Sequence, residues 1–241
     1  MTGGVNSKGT LYLIPTPLGE SGLAQVLPVN VQQRLSSLQH FVVEHPKTAR
    51  HFLKQVTGLP PLASLELLEL NEHTLAETLP KLLAPLLNGR DVGLLSEAGC
   101  PAVADPGAAL VRLAHQHGIK VVPLVGPSAI LLALMASGLN GQHFCFHGYL
   151  PVAQDLRNET ILRLEKDSRK YNETQIFIET PYRNLRLLEA LLQYCSVQTQ
   201  LCVACNLTLA NEYVATRIIG DWRQGSLPDI HKQPAVFLLQ G

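Results

Sequence analysis

Apolar positions fall along this chain in short blocks separated by helical stripes. Thr10 to Pro15 (TLYLIP), Phe41 to Glu44, Val92 to Leu95 and Ile119 to Pro123 read as strands, and Val92 to Leu95 is apolar on both faces, the pattern of a central parallel strand covered by helices. Between them the spacing changes to that of helices. Val31, Leu35 and Leu38 share one face of a helix that Pro28 can open, and Pro46 opens a second over Lys47 to Val56. Glu72 to Leu87 has helical periodicity, with Pro80 and Pro85 expected to bend it and Asn88-Gly89 to stop it. Asp105 and Pro106 read as an N-cap and first helical residue ahead of Leu110, Val111 and Ala114, and Gly118 ends that helix. Leu65 to Leu70 reads equally as strand or helix.

The rhythm changes after Leu124. Pro127 to Ala136 predicts an apolar helix stopped by Gly138, Phe144 to His147 a strand, Gly148 to Asp155 a loop, and Leu156 to Lys170 a charged helix. Strand Gln175 to Glu179 and helix Tyr182 to Tyr194 follow. Strands Gln200 to Cys205, Tyr213 to Ile219 and Ala235 to Leu239 then crowd the end, and their short connections predict antiparallel pairing. The expected architecture is α/β, with two α/β domains, residues 1–124 with a mostly parallel sheet and residues 125–241 with a mixed one, and a crevice between them.

At 241 residues and 46% apolar content the chain can bury substantial cores. No apolar run is long enough to span a membrane and the first residues lack an apolar signal core, so a cytoplasmic protein is expected. The five cysteines form no even framework and are expected to be reduced. Nineteen basic residues balance nineteen acidic ones, so an RNA partner would have to be held by a local patch.

Ligands of open α/β sheets sit beyond the carboxyl ends of the strands, which directs attention to Ser96-Glu97-Ala98-Gly99-Cys100-Pro101 and Gly126-Pro127-Ser128. On position alone Glu97 reads equally as a ligand-facing carboxylate and as a solvated loop charge. Gly126-Pro127-Ser128-Ala129 either offers helix N–H groups to an anion or simply starts a helix. There is no GxGxxG and no GxxxxGK[ST] pattern. Cys202-Val-Ala-Cys205 has metal or redox spacing, yet both residues fall within one strand without a second pair, so they read as core. His115 and His117 suit a helix C-terminus and lack a third ligand, and no metal is expected. Arg183, in a first helical turn, opposes the helix dipole and is expected to have a compensating contact.

Six segments taken in order carry a family likeness: Leu11-Tyr-Leu-Ile-Pro-Thr-Pro-Leu-Gly19, Leu94-Leu-Ser-Glu-Ala-Gly-Cys-Pro101 with Ala104-Asp-Pro-Gly107, Val122-Pro-Leu-Val-Gly-Pro-Ser-Ala129, Ala136-Ser-Gly138, Phe146-His-Gly-Tyr-Leu-Pro151 and Ile178-Glu-Thr-Pro-Tyr-Arg183. Together they resemble the tetrapyrrole methylase superfamily, and within it the ribosomal RNA small-subunit 2′-O-ribose methyltransferase branch that acts on a cytidine. The resemblance implies an S-adenosylmethionine-dependent methyltransferase, a cofactor folded into the cleft between two α/β domains, a homodimer, and an RNA substrate from the small ribosomal subunit. Carried over residue by residue, it implies cofactor contacts from Pro17, Leu18, Glu97, Cys100, Ser128, Ala129, Thr180, Cys205, Pro234 and Ala235, with Glu97 at a position that is usually Asp.

Two stretches depart from the branch. Glu44-His45-Pro46-Lys47 stands where it usually reads Glu-Asp-Thr-Arg, and Cys205-Asn206-Leu207-Thr208-Leu209 where it usually reads Arg-Glu-Leu-Thr-Lys, removing cations that can grip a phosphate backbone. The sequence leaves the general base unassigned among Glu44, His45 and Lys47. It also leaves open an acceptor other than RNA, whether a small molecule or a protein, and a homologue that binds the cofactor without turnover.

Overall fold

A computed structural model describes residues 7–241; the reading of the first residues falls largely on residues 1–6, outside that range. The chain divides into two compact units after Ser128, not after Leu124. The physical reason lies in the loop: a Cβ on Gly126 would sit 2.4 Å from Pro15 Cβ, and the Pro127 carbonyl accepts from Cys100 Sγ at 3.5 Å, so residues 125–128 are tied to the first unit.

The first unit is built on five parallel strands, β1 (Thr10–Ile14), β2 (His40–Val43), β3 (Glu66–Glu69), β4 (Val92–Leu95) and β5 (Lys120–Pro123), in the order β3-β2-β4-β1-β5. The ambiguous Leu65 to Leu70 stretch is therefore a strand. Period-two alternation sorts side chains onto two cores. Ile14, Phe41, Val43 and Leu95 meet Leu27, Val31, Leu35 and Leu53 from helices and loops on one face. Leu11, Val42 and Leu94 meet Leu83, Leu86, Leu110 and Ala114 on the other. The chain leaves β1 towards β2 but leaves β4 towards β5, in opposite directions across the sheet. That reversal between neighbouring strands opens the crevice that this class of sheet uses for ligands.

The helices differ from expectation in identifiable ways. The Glu72 to Leu87 segment is helical only as a 3₁₀ turn, Ala76–Thr78, followed by the helix Leu79–Leu87, because Asn71 and Thr74 side chains take the preceding backbone N–H groups into a turn. Pro80 lies in the first turn, where no N–H is required, so it starts the helix; only Pro85 is inside. Asp105 and Pro106 do not start the next helix. Ala102 and Ala104 are left-handed (φ 67° and 57°) and the helix begins at Ala108. One-turn helices Leu23–Val26 and Ile219–Gln224 are too short to leave a periodic signal.

The second unit, Ala129–Gly241, carries a mixed sheet of β6 (Phe144–Tyr149), β7 (Thr174–Ile178), β8 (Gln200–Cys205), β9 (Tyr213–Ile218) and β10 (Ala235–Gln240), ordered β6-β7-β10-β8-β9. Only β6 and β7 are parallel. β6 runs through Gly148, expected to be loop, by a register shift between Phe146 and Tyr149 that Gly148 permits at φ 65°. Helices Gln154–Tyr171, Asn184–Tyr194 and Ile219–Gln224 cover one face around Trp222, which donates from Nε1 to the Leu201 carbonyl at 2.9 Å. The apolar helix Ala129–Ser137 packs on the other face against β8, β9 and β10. Among the described residues no helix is long and apolar enough to cross a membrane.

Gly93 occupies the centre of β4, and a Cβ there would approach Ile14 Cδ1 to 2.7 Å, Phe41 Cδ1 to 2.9 Å and Leu38 Cδ1 to 3.1 Å. Gly93→Ala is expected to lower stability by about 1–3 kcal/mol, the usual cost of overpacking a core, read as a lower midpoint in urea with an unchanged slope. A midpoint equal to that of the parent would show that this core yields without strain.

Candidate active site

The loops after β1 and β4 are joined to one another. Thr16 donates its N–H to the Gly99 carbonyl at 2.9 Å and Gly99 returns an N–H to the Thr16 carbonyl at 3.0 Å, a two-bond antiparallel bridge beyond the end of a parallel sheet. Ser96 Oγ donates to the same Gly99 carbonyl at 2.6 Å, and Thr16 Oγ1 lies 3.2 Å from both the carbonyl and the hydroxyl of Ser96. Both hydroxyl residues are buried, so these bonds are not shared with water. Gly99 has φ 79°, which favours glycine, and its missing Cβ leaves room for Leu18 Cδ2, 3.3 Å from where it would stand.

Beside this bridge is a pocket of about 650 Å³. Pro17, Leu18 and Glu97 line it together with Thr16, Ser96 and Phe52, and Thr48, His51 and Gln55 come from the helix Pro46–Leu53. Ser21, also in its wall, has a buried Oγ without a hydrogen-bond partner. Cys100 lies one residue past the bridge but is held towards Pro127, and burial pushes its thiol pKa up. Neither Cys100 nor Ser128 is among the residues lining this pocket. A second, more polar pocket of about 540 Å³ lies at the opposite, amino ends of β2 and β4, lined by His40, Arg90 and Asp91.

Glu97 is not isolated. Its Oε1 lies 3.5 Å from His45 Nδ1, and Glu44 and Asp105 share its neighbourhood. Burial, then repulsion from Asp105 and Glu97, raises the Glu44 carboxyl above its ordinary range, with His45 opposing. Burial likewise raises Asp105, against a hydrogen bond from the Gly107 N–H, with Glu97 adding to the rise. Carboxyls so placed hold a proton to higher pH than free ones and serve better as proton acceptors near neutrality. Asp105 reads in the sequence only as a helix cap, Thr16 and Ser96 leave no signal there beyond their place at strand ends, and Ser21 leaves none. Among the described residues no three His, Cys, Asp or Glu side chains are grouped to hold a metal ion.

In the second unit the register brings four of the expected residues to one end of the sheet. Ala235 pairs with Cys205 and Val236 with Ile178, which sets Pro234 and Thr180 beyond the same edge. The Asn206 N–H bonds the Pro234 carbonyl at 3.0 Å, and Asn184 Nδ2 holds the Gln233 carbonyl at 2.6 Å. The compensating contact of Arg183 is Glu179: its Nε and Nη2 lie 2.9 and 2.6 Å from a Glu179 Oε1 that also accepts the Thr180 N–H at 2.6 Å. Glu179 is buried, and a charge-assisted, three-donor arrangement is what a buried carboxylate requires. Cys202 and Cys205 are both buried, on opposite faces of β8, with thiol pKa values raised by burial; they are core residues. Ala129 begins the apolar helix of this unit.

Residues 10–221 match the family described as Tetrapyrrole (Corrin/Porphyrin) Methylases. The chain is 34% identical over 218 residues to the Ribosomal RNA small subunit methyltransferase I of Escherichia coli O157:H7, covering 90% of this chain and 71% of that one. It is 33% identical over 209 residues to the protein of the same name from Vibrio cholerae, covering 87% and 68%. In fold it is similar to the methyltransferase CobJ, with a TM-score of 0.64 at 19% identity over 97% of this chain and 94% of that one. It is also similar to uroporphyrin-III C-methyl transferase from Thermus thermophilus in complex with S-adenyl homocysteine, with a TM-score of 0.58 at 15% identity over 96% and 97%. Matched in sequence over most of its length and in fold over nearly all of it, the chain belongs to the tetrapyrrole methylase family of S-adenosylmethionine-dependent methyltransferases.

Proposed function

We propose that this methyltransferase acts on RNA of the small ribosomal subunit in the cytoplasm, at a ribose 2′-hydroxyl, with its cofactor held at the carboxyl ends of β1 and β4. The observation that supports the acceptor most is the 34% identity, over 90% of this chain, to a relative named for small-subunit ribosomal RNA. S-adenosylmethionine supplies a methyl group already activated by its sulfonium, so the chain has mainly to position and to manage one proton.

The residues present suit that cofactor. Leu18 and Phe52 give the pocket an apolar wall, the missing Cβ of Gly99 lets Leu18 pack over the Thr16–Gly99 bridge, and the buried Ser21 Oγ, without a hydrogen-bond partner among the described residues, adds a polar atom to that wall. Glu97 is positioned for a polar, cationic amino-acid end. Pro17 and Cys100 neighbour the Thr16–Gly99 bridge, and Ser128 and Ala129 follow the loop after β5. Thr180, Cys205, Pro234 and Ala235 are proposed as further contacts from the second unit, Cys205 through its backbone because its side chain is buried in the core. Glu44 is the proposed acceptor of the hydroxyl proton, because its environment favours protonation. The working form is proposed to be a homodimer that buries Met135, Phe144 and Tyr149, large side chains exposed at 79%, 39% and 56%.

Three outcomes test this reading. Glu97→Ala is expected to weaken S-adenosylmethionine binding by about 1.5–3 kcal/mol in calorimetry, the scale of a hydrogen bond to a charged group, with little change in melting temperature; the reverse pattern would make Glu97 structural. Glu44→Gln is expected to slow methyl transfer to undermethylated small subunits while raising the melting temperature at pH 7. The sign follows from the raised carboxyl: below the ordinary carboxylate range glutamate is protonated whether folded or not and matches glutamine, whereas above it the folded state bears a partly desolvated charge repelled by Asp105 and Glu97. The gain should vanish near pH 4, and a gain of equal size there would place its origin in packing. Light scattering at micromolar concentration is expected to give twice the mass of one chain, and a monomeric mass would remove the dimer.

A further inference from the structure

The chain carries no net charge, yet one helix is electrostatically one-sided. In Pro46–Leu53 and its C-terminal cap, Lys47, Arg50, His51 and Lys54 recur at i, i+3, i+4 and i+7, a single exposed stripe. The helix has no acidic residue, and among the described residues none of the four is ion-paired. The helix Gln154–Tyr171 shows the contrast: its cations are interleaved with Asp155, Glu159, Glu165 and Asp167, and Arg163 and Arg169 pair at i,i+4 with Asp167 and Glu165, the pattern of an ordinary solvated face.

Local folding does not account for the stripe. The helix dipole favours Arg50, His51 and Lys54 near the C-terminus, but it disfavours Lys47 in the first turn, and like charges three and four residues apart repel. The placement points outward to a ligand. Thr48, His51 and Gln55, on the adjoining stripe of the same helix, line the pocket of about 650 Å³, so His51 belongs to both surfaces. A polyanion lying on the cations therefore passes the mouth of the pocket that the reading above gives to methyl transfer.

We infer that the Lys47–Arg50–His51–Lys54 stripe is the surface that grips the phosphodiester backbone of the RNA acceptor. It stands in for the cations that Cys205 to Leu209 lack. The occupant is an extended anion with regularly spaced charges, for which a row of unpaired Lys and Arg is complementary, and binding releases one counterion for each phosphate neutralised. The inference rests on the proposed RNA substrate, but it concerns binding and is read without turnover.

The test is fluorescence anisotropy of a labelled fragment of small-subunit RNA, titrated across a series of salt concentrations with the full-length chain. The triple variant Lys47→Gln/Arg50→Gln/Lys54→Gln is compared with Lys81→Gln/Arg112→Gln/Lys120→Gln, which removes equal charge from exposed positions elsewhere in the first unit. The stripe variant is expected to bind about tenfold or more weaker near 0.1 M salt, with the log–log salt slope reduced by about 2–3, while the control keeps its slope. Should the triple variant fail to fold by circular dichroism, Arg50→Gln alone is expected to reduce the slope by about 0.7–0.9. Equal losses in both triple variants, no loss in the stripe variant, or no RNA binding by the parent would each overturn the inference. So would loss of binding to anionic phospholipid vesicles with RNA binding intact. Methyl transfer by the parent is measured separately, so an RNA that binds but is not methylated counts against the proposed function and leaves the stripe standing.

Discussion

Two backbone hydrogen bonds between Thr16 and Gly99 set the geometry on which the rest of the site depends. Neighbouring parallel strands whose chains depart in opposite directions would let their loops diverge. The bridge instead holds the loops after β1 and β4 edge to edge for one residue pair, with the Ser96 hydroxyl and Thr16 Oγ1 closing the polar ends of that contact inside the protein. Leaving one such buried group without its partner costs about 1–3 kcal/mol, so the loops are fixed by their internal chemistry before any ligand arrives. Leu18 and Glu97, two residues on either side of the bridge, inherit that rigidity.

A site fixed in this way can tolerate an unfavourable charge arrangement. Glu44, Glu97 and Asp105 repel one another at the ends of β2 and β4, with His45 3.5 Å from Glu97 and opposing the rise at Glu44, and burial raises Glu44 and Asp105. The fold must hold them at some cost to its stability, as functional sites commonly do. The second unit manages its buried carboxylate differently: Glu179 Oε1 accepts from Arg183 Nε and Nη2 and from the Thr180 N–H, which makes the residue a fixture of the strand end.

Most of the architecture is legible in the sequence because the central strands β2, β4, β8 and β10 are apolar and buried along nearly their whole length, and because Gly89, Gly118 and Gly138 end helices with positive φ. Errors arise where side chains compete with the backbone or where a segment is too short for periodicity. Asn71 and Thr74 divert one helix start, and two left-handed alanines delay another. The strand-end location of the site is likewise readable from topology. What pairs with what there is not: His45 and Glu97 come from different strands, the raised carboxyl of Glu44 is a property of burial, and the buried role of Ser96 follows only once β1 and β4 are side by side. The basic stripe of helix Pro46–Leu53 is visible as spacing, whereas its lack of acidic partners is a tertiary fact.

The most direct measurement of the central claim is a crystal structure of the chain with S-adenosylhomocysteine. Ligand density is expected against Leu18, Phe52 and Glu97, with the Thr16–Gly99 bridge unchanged. Density instead in the polar pocket at the amino ends of β2 and β4, against His40, Arg90 and Asp91, would contradict that claim.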